Sequence, residues 1–104
     1  MSARSKGRHA ELEFEKLHRE GYLTYLIKPT GRFALNNDIF GLFDCLLIDK
    51  ELKTKIWVQI KCNVMPSKKW REMAKEFAEK YFNKEDKILF ASRYDRKGWR
   101  MTFI

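Results

Sequence analysis

Apolar side chains first recur at Ala10, Phe14 and Leu17, spacings of three and four that place all three on one side of a helix. The helix is expected from Gly7 to about Glu20, with Gly21 where a C-cap would stand. YLTYLIKP, residues 22–29, alternates and favours a strand closed by a turn at Pro29 and Gly31. GRFALNNDIFGLF has no regular period and reads as a loop into FDCLLID, residues 43–49, whose two apolar faces predict a central strand. KELKT is a charged turn, and KIWVQIKC, residues 55–62, pairs with the preceding strand as a hairpin.

Past Pro66, Ser67 suits an N-cap, and Trp70, Met73, Ala74, Phe77, Ala78, Tyr81 and Phe82 make a stripe at intervals of three and four. This is the strongest helix in the chain, and its stripe belongs to a core or a subunit interface sooner than to a base-stacking platform. Residues 87–104, KILFASRYDRKGWRMTFI, predict two strands around a turn from Asp95 to Gly98. The order is helix, three strands, helix, two strands, a sheet domain of α/β or α+β class without repeats or long linkers. A length of 104 residues fits one domain covering 1–104.

Charge narrows the partners. Lys and Arg number 22 against 14 Asp and Glu, giving a net charge of +8, an excess that favours polyanions through release of condensed counterions. Basic residues are spread over both halves of the chain, which implies a folded basic face and not a detachable tail. No apolar stretch approaches the roughly 20 residues that span a bilayer, and no signal-peptide apolar region follows MSARSKGRHAE. The expectation is a cytoplasmic protein with no membrane partner. Cys45 and Cys62, both within apolar strands, are then reduced core thiols.

The candidate chemistry lies in QIK, residues 59–61. Residues two apart on a strand share a face, so Gln59 and Lys61 point together while Val58, Ile60 and Cys62 point to the opposite, core side. Asp44 precedes Gln59 by 15 residues and comes close to the pair if the two strands form a hairpin. A carboxylate, an amide oxygen and an ammonium group on a basic protein suit phosphodiester hydrolysis. Mg²⁺ takes oxygen ligands in octahedral geometry and is held by a few protein groups plus water and phosphate. Asp44, the Gln59 side chain and the Ile60 carbonyl form one such set, with Mn²⁺ as a substitute ion. Lys61 would position or deprotonate the attacking water, or neutralise charge on the phosphate.

Asp44 followed by Gln59-Ile60-Lys61 resembles the PD-(D/E)xK nuclease superfamily, whose core carries an Asp on one strand and an acid-x-Lys on the next. KGRHAELEF also resembles the first helix of archaeal Holliday junction resolvases, in which a Lys-Gly is followed four residues later by a functional Glu. The resemblance implies an α/β restriction endonuclease-like fold, with a central mixed sheet of about five strands flanked by helices. It further implies a Mg²⁺-dependent endodeoxyribonuclease acting on branched or duplex DNA, with Glu11 joining Asp44, Gln59 and Lys61 in the site, and a chain of this size is expected to work as a homodimer that presents two sites to two strands. Here Gln59 replaces the motif's acid, which lowers the negative charge at the metal. Lys6, Arg8, Arg32, Lys68, Lys69 and Arg71 are the candidate DNA contacts. A DNA-binding module that has lost catalysis, and a nuclease directed at RNA, are the alternatives.

Plainer roles stand beside these. Gln59 alone could be a polar residue on a solvated sheet face, and Lys61 could reach water from a strand end. Glu11, Glu13 and Glu15 could be solvated helix surface, and Asp38 competes with Asp44 for the site. His9 and His18 have no partners at zinc spacing and read as surface residues, Ser67 as a cap. Lys68, Lys69 and Arg71 oppose the dipole at the start of their helix, an arrangement that either an anion or plain solvation accommodates. Arg93, Arg96, Lys97 and Arg100 surround the last hairpin tip, where they touch DNA or protect an edge strand.

Overall fold

The computed structural model describes residues 3–26, 39–40 and 42–104, and in the first helix the side chains from Arg8 onward. The expected turn at Pro29 and Gly31, Asp38 and Arg32 lie outside the described residues, as does the side chain of Lys6.

The chain runs α1 (Ala3–His18), β1 (Tyr22–Leu26), β2 (Cys45–Asp49), β3 (Lys55–Cys62), α2 (Lys68–Tyr81), β4 (Lys87–Tyr94) and β5 (Gly98–Phe103). The five strands form one sheet in sequence order. β1, β2 and β3 are antiparallel neighbours, β3 and β4 are parallel with α2 as the crossover, and β4 and β5 close as an antiparallel hairpin. The expected α/β class with a five-stranded mixed sheet and flanking helices is what forms. α1 begins earlier than expected and ends at His18, ahead of Gly21.

Each face of the sheet meets one helix. Ala10 and Phe14 of α1 pack on Leu26, Cys45, Leu47, Val58, Ile60, Leu89 and Ala91. On the other face, Trp70, Ala74, Phe77, Ala78 and Phe82 pack around Leu42, Phe43, Trp57 and Ile88. Alternation along β3 therefore feeds two cores, Val58 and Ile60 on one side and Trp57 on the other, which is why these strands read as continuous apolar runs. Full burial of a large apolar side chain is worth about 1.5–3 kcal/mol, and Phe14 and Phe43 are both completely buried, one in each core. Phe43 is a hub, its ring centroid 5.9 Å from that of Trp57, 6.2 Å from Phe82 and 6.4 Å from Trp70.

Two-sided packing corrects the expectation of a solvated Gln59 face. Gln59 is only 5% exposed, because α2 covers the side of β3 that it shares with Trp57. The helix stripe is corrected as well. Ala74 is buried and Trp70, Phe77, Ala78 and Phe82 pack, but Met73 and Tyr81 are exposed. His18 is not a plain surface residue either: its ring lies 4.1 Å from that of Phe14, and its Nδ1 is 2.9 Å from the Phe14 carbonyl. Neither Cys45 nor Cys62 is in a disulfide, and the first is buried and the second half-buried.

Candidate functional site

Asp44 stands immediately before β2, and three contacts determine where its side chain goes. Phe43 is sunk in the aromatic core, the Asp44 N–H donates to the Val58 carbonyl at 2.8 Å, and Asp44 Oδ2 accepts the Ile60 N–H at 2.9 Å. The register Cys45 opposite Val58 leaves Ile60 beyond the start of β2, so the carboxylate takes the place of a ladder partner. A strand residue's N–H and C=O project to the same side, so the Ile60 carbonyl faces the side on which Asp44 lies.

Gln59 projects to the α2 side. With its amide oriented to suit the neighbouring groups, the nitrogen donates to the Leu42 carbonyl and the oxygen accepts from Lys61 Nζ at 3.2 Å. The same Leu42 carbonyl accepts the Trp70 indole N–H at 3.1 Å. One backbone oxygen therefore joins the Gln-Ile-Lys triplet to the first turn of α2. Ser67 caps that helix, its hydroxyl accepting the Trp70 N–H at 3.1 Å. Lys61, Lys68 and Lys69 are exposed, whereas Arg71 is half-buried and its Nε is buried with no hydrogen-bond partner among the described residues.

From the opposite face, α1 brings Glu11 toward the start of β2. Burial pushes the Cys45 thiol up from 9.0 to about 12, and the negative charges of Asp44, Glu15 and Glu11 push in the same direction. Both sequence-nominated carboxylates thus act on one buried thiol. Glu11 Oε1 lies 3.8 Å from Arg8 Nη1.

As ligands, an Asp carboxylate, a backbone carbonyl and an amide oxygen are a hard, all-oxygen set of the kind Mg²⁺ favours. Asp44 Oδ2 accepts the Ile60 N–H. These residues fit a hard divalent cation. Among the described residues, no three His, Cys, Asp or Glu side chains gather to hold a metal, so such an ion would depend on Gln59, Ile60 and solvent.

No protein-family model matches the chain, and no curated protein matches it in sequence. Its structure is similar to that of Hjc, a Holliday junction resolvase from the archaeal hyperthermophile Archaeoglobus fulgidus, with a TM-score of 0.63. The fold is restriction endonuclease-like. The match covers 94% of this chain and 72% of Hjc at 16% identity, so the likeness is one of fold. The described residues include no helix long and apolar enough to cross a membrane.

Several supports of this region were hidden from sequence reasoning. Leu42 contributes a main-chain carbonyl, which leaves no signature in residue type, and Trp70 read as core stripe although its N–H reaches that carbonyl. Glu13, grouped with solvated acids, accepts Arg93 Nε at 2.9 Å and the Trp99 indole N–H at 2.8 Å. Arg93 therefore ties the sheet to α1 and also lies 3.9 Å from Asp95, instead of serving only the hairpin tip. One signal was available: Trp57, two positions before Gln59, is too large and apolar for a solvated face.

Proposed function

We propose that the chain works as a single-domain, divalent-metal-dependent endonuclease that hydrolyses DNA phosphodiesters, with branched DNA of the Holliday junction kind as substrate and two copies acting together. The observation that carries this reading is the Asp44 carboxylate bonded to the N–H of Ile60, the middle residue of Gln59-Ile60-Lys61. It sets an acid, an amide and a lysine around one peptide unit at the end of a strand. The fold likeness to a Holliday junction resolvase supports the same class.

In this reading Asp44, the Gln59 side-chain oxygen and the Ile60 carbonyl would hold Mg²⁺ or Mn²⁺, which supplies charge neutralisation at phosphate and makes bound water more acidic. Lys61 donates to the attacking water or to a phosphoryl oxygen, where a fixed cation stabilises charge that develops in the transition state. Glu11 accepts a hydrogen bond from that water and so aims it. Lys6, Arg8, Arg32, Lys68, Lys69 and Arg71 contact backbone phosphates, which fix register without reading sequence. A two-fold pair of copies would present two sites to two strands.

The test compares wild type with Lys61→Ala on a labelled four-way junction, a linear duplex and a single strand, each in EDTA, Mg²⁺ and Mn²⁺. Symmetric nicks confined to the junction, made by wild type alone, are expected. Equal metal-dependent cleavage by both proteins rules out Lys61 as part of the site.

A second reading, a DNA-binding module without catalysis, is favoured by the Gln59 amide already being engaged by Leu42 and Lys61. It predicts salt-sensitive binding in EDTA and no cleavage in any metal, with cleavage gained by Gln59→Glu.

A further inference from the structure

A reciprocal pair of side chains joins the last hairpin to the strand that carries Lys61. Asn63, two residues past Lys61, donates from Nδ2 to Asp95 Oδ2 at 3.2 Å, and its Oδ1 accepts the Asp95 N–H at 2.9 Å. The Asn63 N–H donates to the Arg93 carbonyl at 3.0 Å. Asn63 has a left-handed backbone, φ 56°, which asparagine adopts at less cost than most residues. These bonds fasten the tip of the β4–β5 hairpin to the end of β3.

The sheet register determines which groups are brought together. Lys61 lies opposite Ser92 and Ser92 opposite Arg100, so the three form one row across β3, β4 and β5. Paired residues project from one face, and two strand spacings put Lys61 and Arg100 about 10 Å apart at the backbone. Ser92 is buried between them, its hydroxyl accepting the Val64 N–H at 3.4 Å, while Lys61 and Arg100 are exposed. Arg96 and Lys97, also exposed, stand at the tip beyond the row. Among the described residues none of these four cations forms an ion pair. The acids beside the hairpin are already engaged, Glu13 by Arg93 and Trp99, and Asp95 by Asn63 with Arg93 at 3.9 Å. Cations that guard a sheet edge belong on the ladder, whereas Arg96 and Lys97 lie off it, in the turn.

We propose that the β4–β5 hairpin is a second DNA-binding arm, in which Arg100, Arg96 and Lys97 contact backbone phosphates of the DNA that Lys61 engages, and that Asn63 is the positioning residue that holds this arm in register with Lys61. The choice of DNA as the polyanion rests on the endonuclease reading and on the net charge of +8. A nucleic-acid backbone offers a line of anions, which matches cations laid out along a row and a tip, and each guanidinium fork suits a phosphate. A single free phosphate would engage only part of the set. Arg8 lies on α1, and Lys68, Lys69 and Arg71 lie at the start of α2, so the hairpin carries the basic surface across the sheet to its last strand.

The experiment measures binding of a four-way junction and of a linear duplex over a series of salt concentrations in EDTA, where metal-dependent cleavage cannot contribute. Each phosphate contact on duplex DNA adds about 0.9 to the slope of log affinity against log salt, so Arg100→Ala is expected to lower the slope by about that amount. The double variant Arg96→Asn with Lys97→Ala is expected to lower it by about twice as much, asparagine being chosen because Arg96 has φ 66°. Arg100→Lys should keep the wild-type slope. Lys84→Ala removes an equal charge before β4, at the opposite end of the sheet, and should also keep it. Asn63→Gly allows the left-handed backbone and removes both side-chain bonds to Asp95, and is expected to lower the slope although no charge changes. Circular dichroism should report an intact fold in every variant. Wild-type slopes in Arg100→Ala and in the double variant overturn the arm, as does an equal fall in Lys84→Ala, and a wild-type slope in Asn63→Gly overturns its positioning role. Wild type that binds with the expected pattern but cuts nothing supports the arm and refutes the endonuclease. Wild type that cuts while every slope stays unchanged refutes the arm alone.

Discussion

Trp99, in the last strand, donates its indole N–H at 2.8 Å to Glu13, in the first helix, across 86 residues of sequence. The other oxygen of the same carboxylate accepts Arg93 Nε at 2.9 Å. One half-exposed acid thereby ties α1 to β4 and β5 and determines how α1 lies when it presents Glu11, two residues earlier.

Glu13→Ala should remove both bonds and loosen α1. Hydrogen bonds to charged groups are worth about 1.5–3 kcal/mol when shielded and less when exposed, so a loss of about 1–2 kcal/mol is expected, read as a lower urea midpoint at unchanged m-value. A midpoint equal to wild type would mean that solvent replaces the pair without cost.

Asp44 should separate folding from chemistry. Asp44→Asn keeps an oxygen for the Ile60 N–H and should leave the melting temperature close to wild type, while metal-dependent cleavage falls about 100-fold or more. Asp44→Ala also strands the N–H, and should cost about 1–3 kcal/mol in addition. Paired melts and cleavage assays on the two variants make the comparison.

Gln59→Glu should be unstable without metal. The new carboxylate is buried, loses the donor that faces the Leu42 carbonyl and sets a negative charge against it, a cost of about 1–3 kcal/mol. Mg²⁺ should raise the melting temperature of this variant more than that of wild type, because ligand binding to the folded state adds stability. Equal shifts would place the ion elsewhere.

Cys45 gives a pH signature. Its folded-state value of about 12 lies above 9.0, so the unfolded chain loses this proton first. The associated stability is complete below pH 9 and is lost as pH rises from 9 toward 12. Urea midpoints of wild type should fall over that range more steeply than those of Cys45→Ala. Parallel curves would show that other groups govern the alkaline limb.

Ser67→Ala should cost about 1 kcal/mol by removing the acceptor for the Trp70 N–H. Because Trp70 also holds the Leu42 carbonyl shared with Gln59, the same variant should lower cleavage where a cap on an unconnected helix would not.

Local chemistry explains which parts of the structure were legible. Ser67 before an apolar stripe announces a capped helix, and Asp95–Gly98 between two apolar runs announces a hairpin, because cap and turn preferences act over a few residues. The proximity of Asp44 to the Gln-Ile-Lys triplet was legible for the same reason, since a short turn fixes the hairpin register. The burial of Gln59 was not, because it depends on α2 crossing over to make β3 and β4 parallel neighbours. The partners of Glu13, and the main-chain carbonyl of Leu42, likewise exist only once distant segments have met.

Asp44 finishes a β-ladder with its side chain, whereas Lys61 is exposed and, among the described residues, has the Gln59 amide as its hydrogen-bond partner. The fold itself therefore calls on the aspartate more than on the lysine. If the chain cuts DNA as proposed, a descendant that abandoned cutting would lose the lysine early and retain the aspartate as masonry, which makes the lysine the better witness to a living enzyme.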